Sequence, residues 1–434
     1  MFEKIINLLD SGKNVFLTGG AGTGKSYLTR EIIAHYRHAY KNIVVLGSTG
    51  ISAVNIGGIS VHSFFKFGIS DNRLTLAALD KKQRGKLVEL KKMLAKTDII
   101  VIDEISMVSA ELLEMIYERL LWAEFGGAML FVGDFYQLPP VVRKSEQNAP
   151  SSLFAPLLYA FSGGAWEKFS PVCVLLEKPK RTSDARFFEL LSRVRVGQMG
   201  SEVCEFLRSR LLPPPPDITV LYGTNANVDW LNERRLSALN SNLKILPAAT
   251  EVADKTLTAA QLERWIKNIN LPTQMKLKIG AKVMFVTNSW GEFYNGEQGI
   301  VRDIGEGLVT VEKSSGEVIS VEPKVYELND YANEGEKVVE KLRATFTQFP
   351  LKLAYAVTIH KSQGMSLERF VCNVDNIFAN GQLYVALSRA MSAEGLYVGY
   401  SGAREFEAHL CRSVKIDPEV AEFYAKSEFI REKE

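Results

Sequence analysis

The chain has 434 residues, 46% of them hydrophobic and 24% charged, with 52 Lys+Arg against 50 Asp+Glu. That length exceeds one ordinary domain and allows two to four folding units, each with its own core. The 32 glycines and 15 prolines follow no period, which excludes collagen-like and low-complexity classes. No apolar run reaches a bilayer span, and Met1-Phe2-Glu3-Lys4 leads into an amphipathic segment with no signal-peptide core. Cys173, Cys204, Cys372 and Cys411 lie far apart with no Cys-x-x-Cys, against a zinc site or a disulfide scaffold. They read as reduced, mostly buried small hydrophobes in a soluble, cytoplasmic chain. Balanced charge decides nothing about nucleic acid, because a local basic groove can coexist with an acidic outer surface.

In chain order, Asn14–Thr18, Asn42–Leu46, Asp98–Ile102, Ala128–Val132 and Val172–Leu176 read as strands that are apolar on both faces. Such strands belong in a parallel sheet covered by helices on both sides. Between them, Ala110–Ala123 carries Leu113, Ile116, Tyr117, Leu120 and Leu121 at helical spacing, with Ser109 as the expected N-cap. His35 and His38 fall three apart on an expected helix and read as surface residues. Pro213-Pro214-Pro215-Pro216 cannot continue a helix and marks an extended connector. Ile218–Tyr222 and Ala226–Leu239 then repeat the strand-helix pattern. From Ala281 to Glu322 the period changes: Val283–Val286, Gly299–Ile304, Leu308–Glu312 and Val318–Val321 are short runs separated by turn residues. Close strands of this kind predict a small antiparallel barrel. The α/β pattern resumes at Lys352–Ile359, Phe370–Val374 and Leu396–Gly399.

Chemistry concentrates at the strand ends. Gly19-Gly20-Ala21-Gly22-Thr23-Gly24-Lys25-Ser26 fits a P-loop between a strand and a helix. Backbone N–H groups from Gly20 to Gly24 would wrap the phosphates, Lys25 would reach the β- and γ-phosphates, and the Ser26 hydroxyl would ligate magnesium. A glycine-rich turn with no ligand is the bland reading, disfavoured because strand, helix and Lys-Ser pair are all in place. Asp103 and Glu104 follow an apolar strand at the edge where open α/β sheets bind ligands. Asp103 suits magnesium and Glu104 suits the base that orients the attacking water, which favours hydrolysis over mere binding. Gln137, in Gly133-Asp134-Phe135-Tyr136-Gln137-Leu138-Pro139-Pro140, could sense the γ-phosphate.

Phe16–Ser26, Asp103-Glu104-Ile105-Ser106-Met107 and Gly133–Pro140 resemble motifs I, II and III of the Pif-one DNA helicases, superfamily one subgroup B, related to the RecD helicases. Ser48-Thr49-Gly50-Ile51-Ser52-Ala53 through His62-Ser63-Phe64-Phe65 resembles motif Ia. Ser109–Arg119, running to Phe125-Gly126-Gly127, resembles the signature segment between motifs II and III. Arg181 with Asp184 and Phe187 resembles motif IV, although Thr182 stands where the family often has Gln. Thr358–Gly364 resembles motif V and Tyr384–Ala390 motif VI. The resemblance spans most of the chain. No adenine-contacting glutamine stretch is evident before Ser11.

The resemblance implies an α/β protein of two RecA-like P-loop lobes: 1–175, with a wedge-like insertion at 66–80, and 176–434. The second lobe carries a small accessory insertion at 244–278 and an SH3-like β module at 288–345. It implies ATP and Mg2+, with Gly364, Arg181 and Arg389 added to the nucleotide site. The two arginines would enter the cleft from the opposite lobe as fingers, each contributing a factor of about 10³–10⁵ in rate. Ser48, Thr49, Gly50, His62, Phe64, Thr224, Asn225, His360, Lys361 and Ser362 are the candidates for single-stranded DNA, from motif resemblance and strand-end position. Phe64 would stack on a base, although Phe64, Phe65 and Phe67 also read as core, a reading that fits at least two of them. The implied activity is 5′→3′ unwinding of duplex, forked or structured DNA in repair, recombination, replication or telomere-type maintenance, by a protein that is monomeric in solution and joins the nucleoid when on DNA. An RNA-directed motor and a P-loop switch that gates partner binding are the alternatives. The switch leaves motifs V and VI unexplained.

Overall fold

The computed structural model describes residues 1–68, 73–140, 157–180, 184–289 and 291–432. They form two compact units, one made of Met1–Lys178, Leu328–Arg343 and Pro418–Glu434, the other of Pro179–Glu327 and Ala344–Asp417. The expected division at 175/176 treats the chain as collinear. The units are not collinear, because a later hairpin tip and the C-terminal segment group with the first of them.

The first unit is built on β1 (Val15–Gly19), β2 (Ile43–Gly47), β3 (Ile59–Ser60), β4 (Ile99–Asp103), β5 (Ala128–Val132) and β6 (Val172–Leu176). A strand that the sequence reading missed, Phe429–Arg431, pairs beside β6. The order is Phe429–Arg431, β6, β1, β5, β4, β2, β3, and every pairing is parallel. Every residue of β1, β2 and β5 is buried, as the continuous apolar runs require of strands covered on both faces. On one face Val15, Leu17, Val45, Val101 and Leu130 pack with Ile5 and Leu9 of helix Phe2–Asp10 and with Ile32, Ile33 and Tyr36 of helix Lys25–His38. The other face is aromatic, with Phe16 against Trp166 at 5.3 Å and Phe131 against Phe169 at 5.3 Å.

Helix Ala110–Trp122 forms where its spacing predicts: Leu113, Ile116 and Leu120 are buried and Tyr117 partly so, but Leu121, expected with them, is exposed; the Ser109 hydroxyl accepts from the Leu112 N–H at 3.2 Å. Gly127 closes the following turn, where a Cβ would meet the Asp98 carbonyl oxygen at 2.3 Å. Arg119 on the same helix is 7% exposed and forms a bidentate pair with Asp80, both N···O distances 2.8 Å. That pair anchors helix Arg73–Lys82, the described end of the wedge-like insertion. Residues 69–72 of the insertion lie outside the described residues.

The second unit holds a four-stranded parallel sheet ordered Ala356–Thr358, Thr219–Tyr222, Phe370–Asn373, Leu396–Gly399. Beside it in sequence is a five-stranded antiparallel sheet ordered Val318–Val321, Val309–Lys313, Gln298–Ile304, Lys282–Phe285, Leu351–Leu353. The β module therefore starts before and ends after the expected bounds 288 and 345. The single run Lys352–Ile359 is in fact split between the two sheets. Segment 244–278 contains the helix Ala259–Ile269, whose Thr258 and Gln261 form a capping box, and three strands: Lys244–Pro247 and Gln274–Leu277, paired antiparallel with each other, and Ala249–Val252, paired antiparallel with Lys337–Gln348.

The long hairpin Lys324–Glu334/Lys337–Gln348 was not legible in the sequence. Residues of its tip pack within the first unit: the Tyr331 hydroxyl accepts the Val45 N–H at 2.9 Å, and Asp330 pairs with Lys66 at 3.0 Å. The C-terminal segment is held similarly, by Phe423 stacking on Phe161 at 4.3 Å and meeting Phe16, Phe135 and Trp166. Phe423 keeps some solvent exposure, so Phe423→Ala should cost somewhat less than the roughly 3–5 kcal/mol of a fully buried phenylalanine. Urea unfolding of the first unit's aromatic fluorescence checks this, and an unchanged midpoint would mean that the segment is an appendage.

Candidate nucleotide and nucleic-acid sites

Parallel pairing brings the C-terminal ends of β1, β5 and β4 side by side, in that order. These ends carry the P-loop, Gly133–Gln137 and Asp103-Glu104, so three motifs far apart in sequence share one edge. After β1 the chain turns through Gly22 (φ 78°) and Gly24 (φ 94°), left-handed backbone that favours glycine, and enters helix Lys25–His38. The Thr23 hydroxyl donates to the Gly20 carbonyl at 2.8 Å and closes the loop. Lys25 Nζ lies across it, donating to the Gly19 and Gly20 carbonyls at 2.8 and 3.0 Å. Ser26 is exposed in the first helical turn, and Ala21 and Gly22 are partly exposed.

Asp103 ends β4 and Glu104 follows with φ 53°, an uncommon left-handed conformation for a residue with a side chain. Burial raises the Asp103 pKa most, the neighbouring Glu104 charge raises it further, and a Glu104 backbone N–H, Lys25 and Arg30 oppose the shift. Two adjacent carboxylates, both partly exposed at this strand end, favour a cation between them. The donor set, one hydroxyl and carboxylate oxygens with no thiolate or imidazole, fits magnesium rather than zinc. Gln137 is 7% exposed; its N–H bonds the Asp134 carbonyl at 2.9 Å in the turn after β5.

The motif Ia residues sort themselves by burial. Thr49 caps helix Gly50–Ile56 in a capping box with Ser52, so its hydroxyl already accepts the Ser52 N–H at 3.1 Å. Ser48 is buried, and its Oγ has no hydrogen-bond partner among the described residues. His62 is partly exposed beside Phe67. Phe64, expected to stack on a base, has no exposed surface; it packs edge-on to Phe65 at 5.0 Å and Tyr331 at 5.7 Å. Phe65 and Phe67 are equally buried, so all three phenylalanines are core and Phe64 has no open face on which a base could stack.

In the second unit, Thr224-Asn225 and His360-Lys361 follow adjacent parallel strands and share one sheet edge. Thr224 is the N-cap of helix Asn225–Ser237 without using its side chain, and Asn225 is exposed. Burial lowers the His360 pKa. Ser362 is fully buried and donates inward to the Ile359 carbonyl at 2.8 Å, which leaves it no surface to offer a DNA strand. Gly364, with φ 76°, is exposed in the same loop. Arg389 is 3% exposed: Nε donates to Val385 O at 2.9 Å, Nη2 to Ser388 Oγ at 2.8 Å, and Nη1 to Ser362 O and Met365 O at 3.3 and 3.4 Å. The side chain thus holds the 362–365 loop to its own helix. Arg181 lies outside the described residues.

A sequence profile of the PIF1-like helicases matches residues 1–203. The ATP-dependent DNA helicase Pif1 of Campylobacter jejuni is 41% identical over 443 residues, spanning 99% of this chain and 98% of that protein. The chain belongs to the Pif1-like helicase family. A crystal structure of a Bacteroides Pif1 in complex with ADP-AlF4 superposes with a TM-score of 0.83 at 28% identity, covering 98% of this chain and 95% of that one. Bacteroides Pif1 bound to single-stranded DNA gives 0.65 at 27% identity over the same shares.

This Pif1-like chain also uses a residue that sequence reasoning missed. Tyr424 stacks on Tyr136 at 4.7 Å, and its hydroxyl sits 2.7 Å from Thr18 Oγ1 of β1. The same hydroxyl accepts the Phe135 N–H at 3.3 Å and donates to Asp134 at 3.4 Å. It ties the P-loop strand to the turn that carries Gln137, across a sequence distance that no local pattern reveals. Tyr424→Phe keeps the ring and removes these bonds. It should lower ATP turnover severalfold while costing only about 1 kcal/mol of stability. Steady-state ATPase and denaturant unfolding of the same sample check this; unaltered turnover would limit Tyr424 to packing.

Proposed function

We propose that this protein is an ATP-driven DNA helicase that moves 5′→3′ along single-stranded DNA and opens duplex, forked or otherwise structured DNA. The observation that carries the reading is the row of three strand ends in the first unit, holding Lys25-Ser26, Asp103-Glu104 and Gln137 on one edge. Family membership supplies DNA as the nucleic acid. The direction rests on the resemblance to the 5′→3′ subgroup, since nucleotide chemistry alone can drive either polarity.

Lys25 would exchange its two carbonyl contacts for phosphate oxygens, and the loop N–H groups from Gly20 to Gly24 would surround them. Ser26 and Asp103 would hold Mg2+, which when bound supplies positive charge against the phosphate oxygens. Glu104, displaced by its left-handed backbone from the line of the strand, would accept a proton from the attacking water. Gln137 would report the γ-phosphate, and Arg181 and Arg389 are the cations proposed for the transferring group. As a finger, Arg389 would trade its two longest bonds, to Ser362 and Met365, for phosphate, which moves the loop next to His360-Lys361. Thr49, Gly50 and His62 in one unit and Thr224, Asn225, His360 and Lys361 in the other are the proposed DNA contacts. Backbone contacts of this type carry no base information, which suits a motor. Work on chromosomal DNA would place the protein in the cytoplasm at the nucleoid, acting in repair, recombination or replication.

Glu104→Gln should lower kcat by about 10²–10⁴ while ATP still binds. Lys25→Ala should lose turnover and nucleotide binding together. Single-turnover hydrolysis and a fluorescent-nucleotide titration separate the two, and full activity in Glu104→Gln would remove it as the base.

Unwinding should occur on a duplex with a 5′ single-stranded tail and not on its 3′-tailed match, with single-stranded DNA stimulating ATP hydrolysis. Binding should weaken steeply with salt, so both substrates are compared at one low ionic strength. Preference for the 3′ tail would overturn the direction alone; stimulation by RNA but not DNA would overturn the substrate.

A further inference from the structure

The second unit holds a cavity of about 260 Å³ where the antiparallel sheet meets the proline connector. None of the residues proposed above for nucleotide or DNA lines it. Lys282 and Gln298 line it from two paired strands of that sheet, and Arg369 from the turn before strand Phe370–Asn373. Three carboxylates line it as well, and each already has partners. Glu368 accepts the Tyr294 hydroxyl at 2.7 Å, and Asp217 pairs with Arg235 at 3.1 Å. Glu297 accepts the Tyr294 N–H at 3.1 Å and lies 3.7 Å from Lys313. The donors are less well matched. Lys282 Nζ carries three N–H groups, and among the described residues it makes one hydrogen bond, to the Asp217 carbonyl at 2.6 Å. Arg369 is exposed and meets the Tyr397 hydroxyl at 3.5 Å, the outer limit of a hydrogen bond. Neither cation lies within ion-pair distance of a carboxylate among the described residues. The Gln298 side-chain nitrogen is buried without a partner among those residues, which costs stability unless something accepts from it.

We propose that this cavity is a binding site for a nucleoside monophosphate, either free or as the phosphorylated end of a nucleic-acid strand. An ammonium, a guanidinium and an amide N–H from three separate segments suit a tetrahedral group with three free oxygens, where a carboxylate would offer two. One phosphate would satisfy all three donors that the chain itself leaves open. The cavity is larger than a phosphate group alone, and Pro215, Pro216, Ile218 and the Tyr294 ring supply apolar surface for the organic part. The Asp217 and Glu368 carboxylates keep lone pairs free for sugar hydroxyls. The site is separate from the P-loop, so its occupant binds without being hydrolysed. A bound monophosphate would join the connector and the 368–369 turn to the antiparallel sheet through its own oxygens. The strand-end source rests on the DNA reading above; the free-nucleotide source does not.

The test uses the full chain carrying Lys25→Ala, so that the P-loop no longer competes for the ligand. Calorimetric titration with thymidine 5′-monophosphate should still show a single site, and thymidine, which lacks the phosphate, should not bind. Adding Lys282→Gln or Arg369→Gln should weaken the monophosphate by about tenfold or more, and Gln298→Leu severalfold. Arg369→Gln is the decisive variant, because an exposed side chain can be replaced with the melting temperature unchanged. A 5′-phosphorylated oligonucleotide that binds tighter than its 5′-hydroxyl match, with the preference lost in Arg369→Gln, assigns the site to a strand end. Equal affinity of the two oligonucleotides, with the monophosphate still bound, assigns it to the free nucleotide. No heat with the monophosphate, thymidine binding as tightly, or unchanged affinity in Arg369→Gln would each overturn the proposal. These readouts are taken with ATP turnover already disabled, so failure of the helicase reading cannot produce them.

Discussion

Parallel pairing of β1 with β5, and of β5 with β4, is the constraint on which the chemistry depends. Parallel strands end on the same side, so a glycine loop, a carboxylate pair and a glutamine turn reach one edge although more than a hundred residues separate the first from the last. Burial on both faces covers the strands behind that edge, and it also desolvates the partly exposed Asp103 at the end of β4. The carboxyl is then costly to ionise beside Glu104 until a cation or Lys25 offsets it. One arrangement thus both assembles the site and makes it want a positively charged occupant.

The first unit is completed by segments that belong to it only in space. Tyr331 satisfies the Val45 N–H of β2, a donor beyond the short pairing with β3, and Asp330 neutralises Lys66. An unmet backbone donor at that position would cost free energy comparable to a lost hydrogen bond. The C-terminal segment closes the aromatic face with Phe423 and the P-loop strand with Tyr424. The first device completes the β2 side of the sheet and the second ties down the P-loop strand, so the first unit depends on chain distant in sequence.

Burial also redistributes the roles expected of the motif residues. Phe64 and Ser362 carry packing and loop geometry instead of facing a strand of DNA. Arg389 is the more informative case. Its guanidinium bonds carbonyls of the loop after His360-Lys361, so the cation proposed for phosphate is at the same time the clamp on residues proposed for DNA. If the guanidinium left these two carbonyls for phosphate, as proposed, it would release that loop.

The sequence by itself determined the strands, the order of motifs and the chemistry of the nucleotide edge. Val15–Gly19, Ala128–Val132 and Val172–Leu176 fall within one residue of the apolar runs, because strands buried on both faces leave an unbroken hydrophobic signal. Gly22 and Gly24 were legible because only glycine takes left-handed backbone without strain, and Asp103-Glu104 because two carboxylates after such a strand have no packing use. Tertiary structure alone decided which phenylalanines are core, where Arg389 points, and that Phe429–Arg431 extends the first sheet. It also divided Lys352–Ile359 between two sheets. These are matters of long-range pairing, and a short apolar or mixed segment carries the same local pattern whichever distant partner covers it.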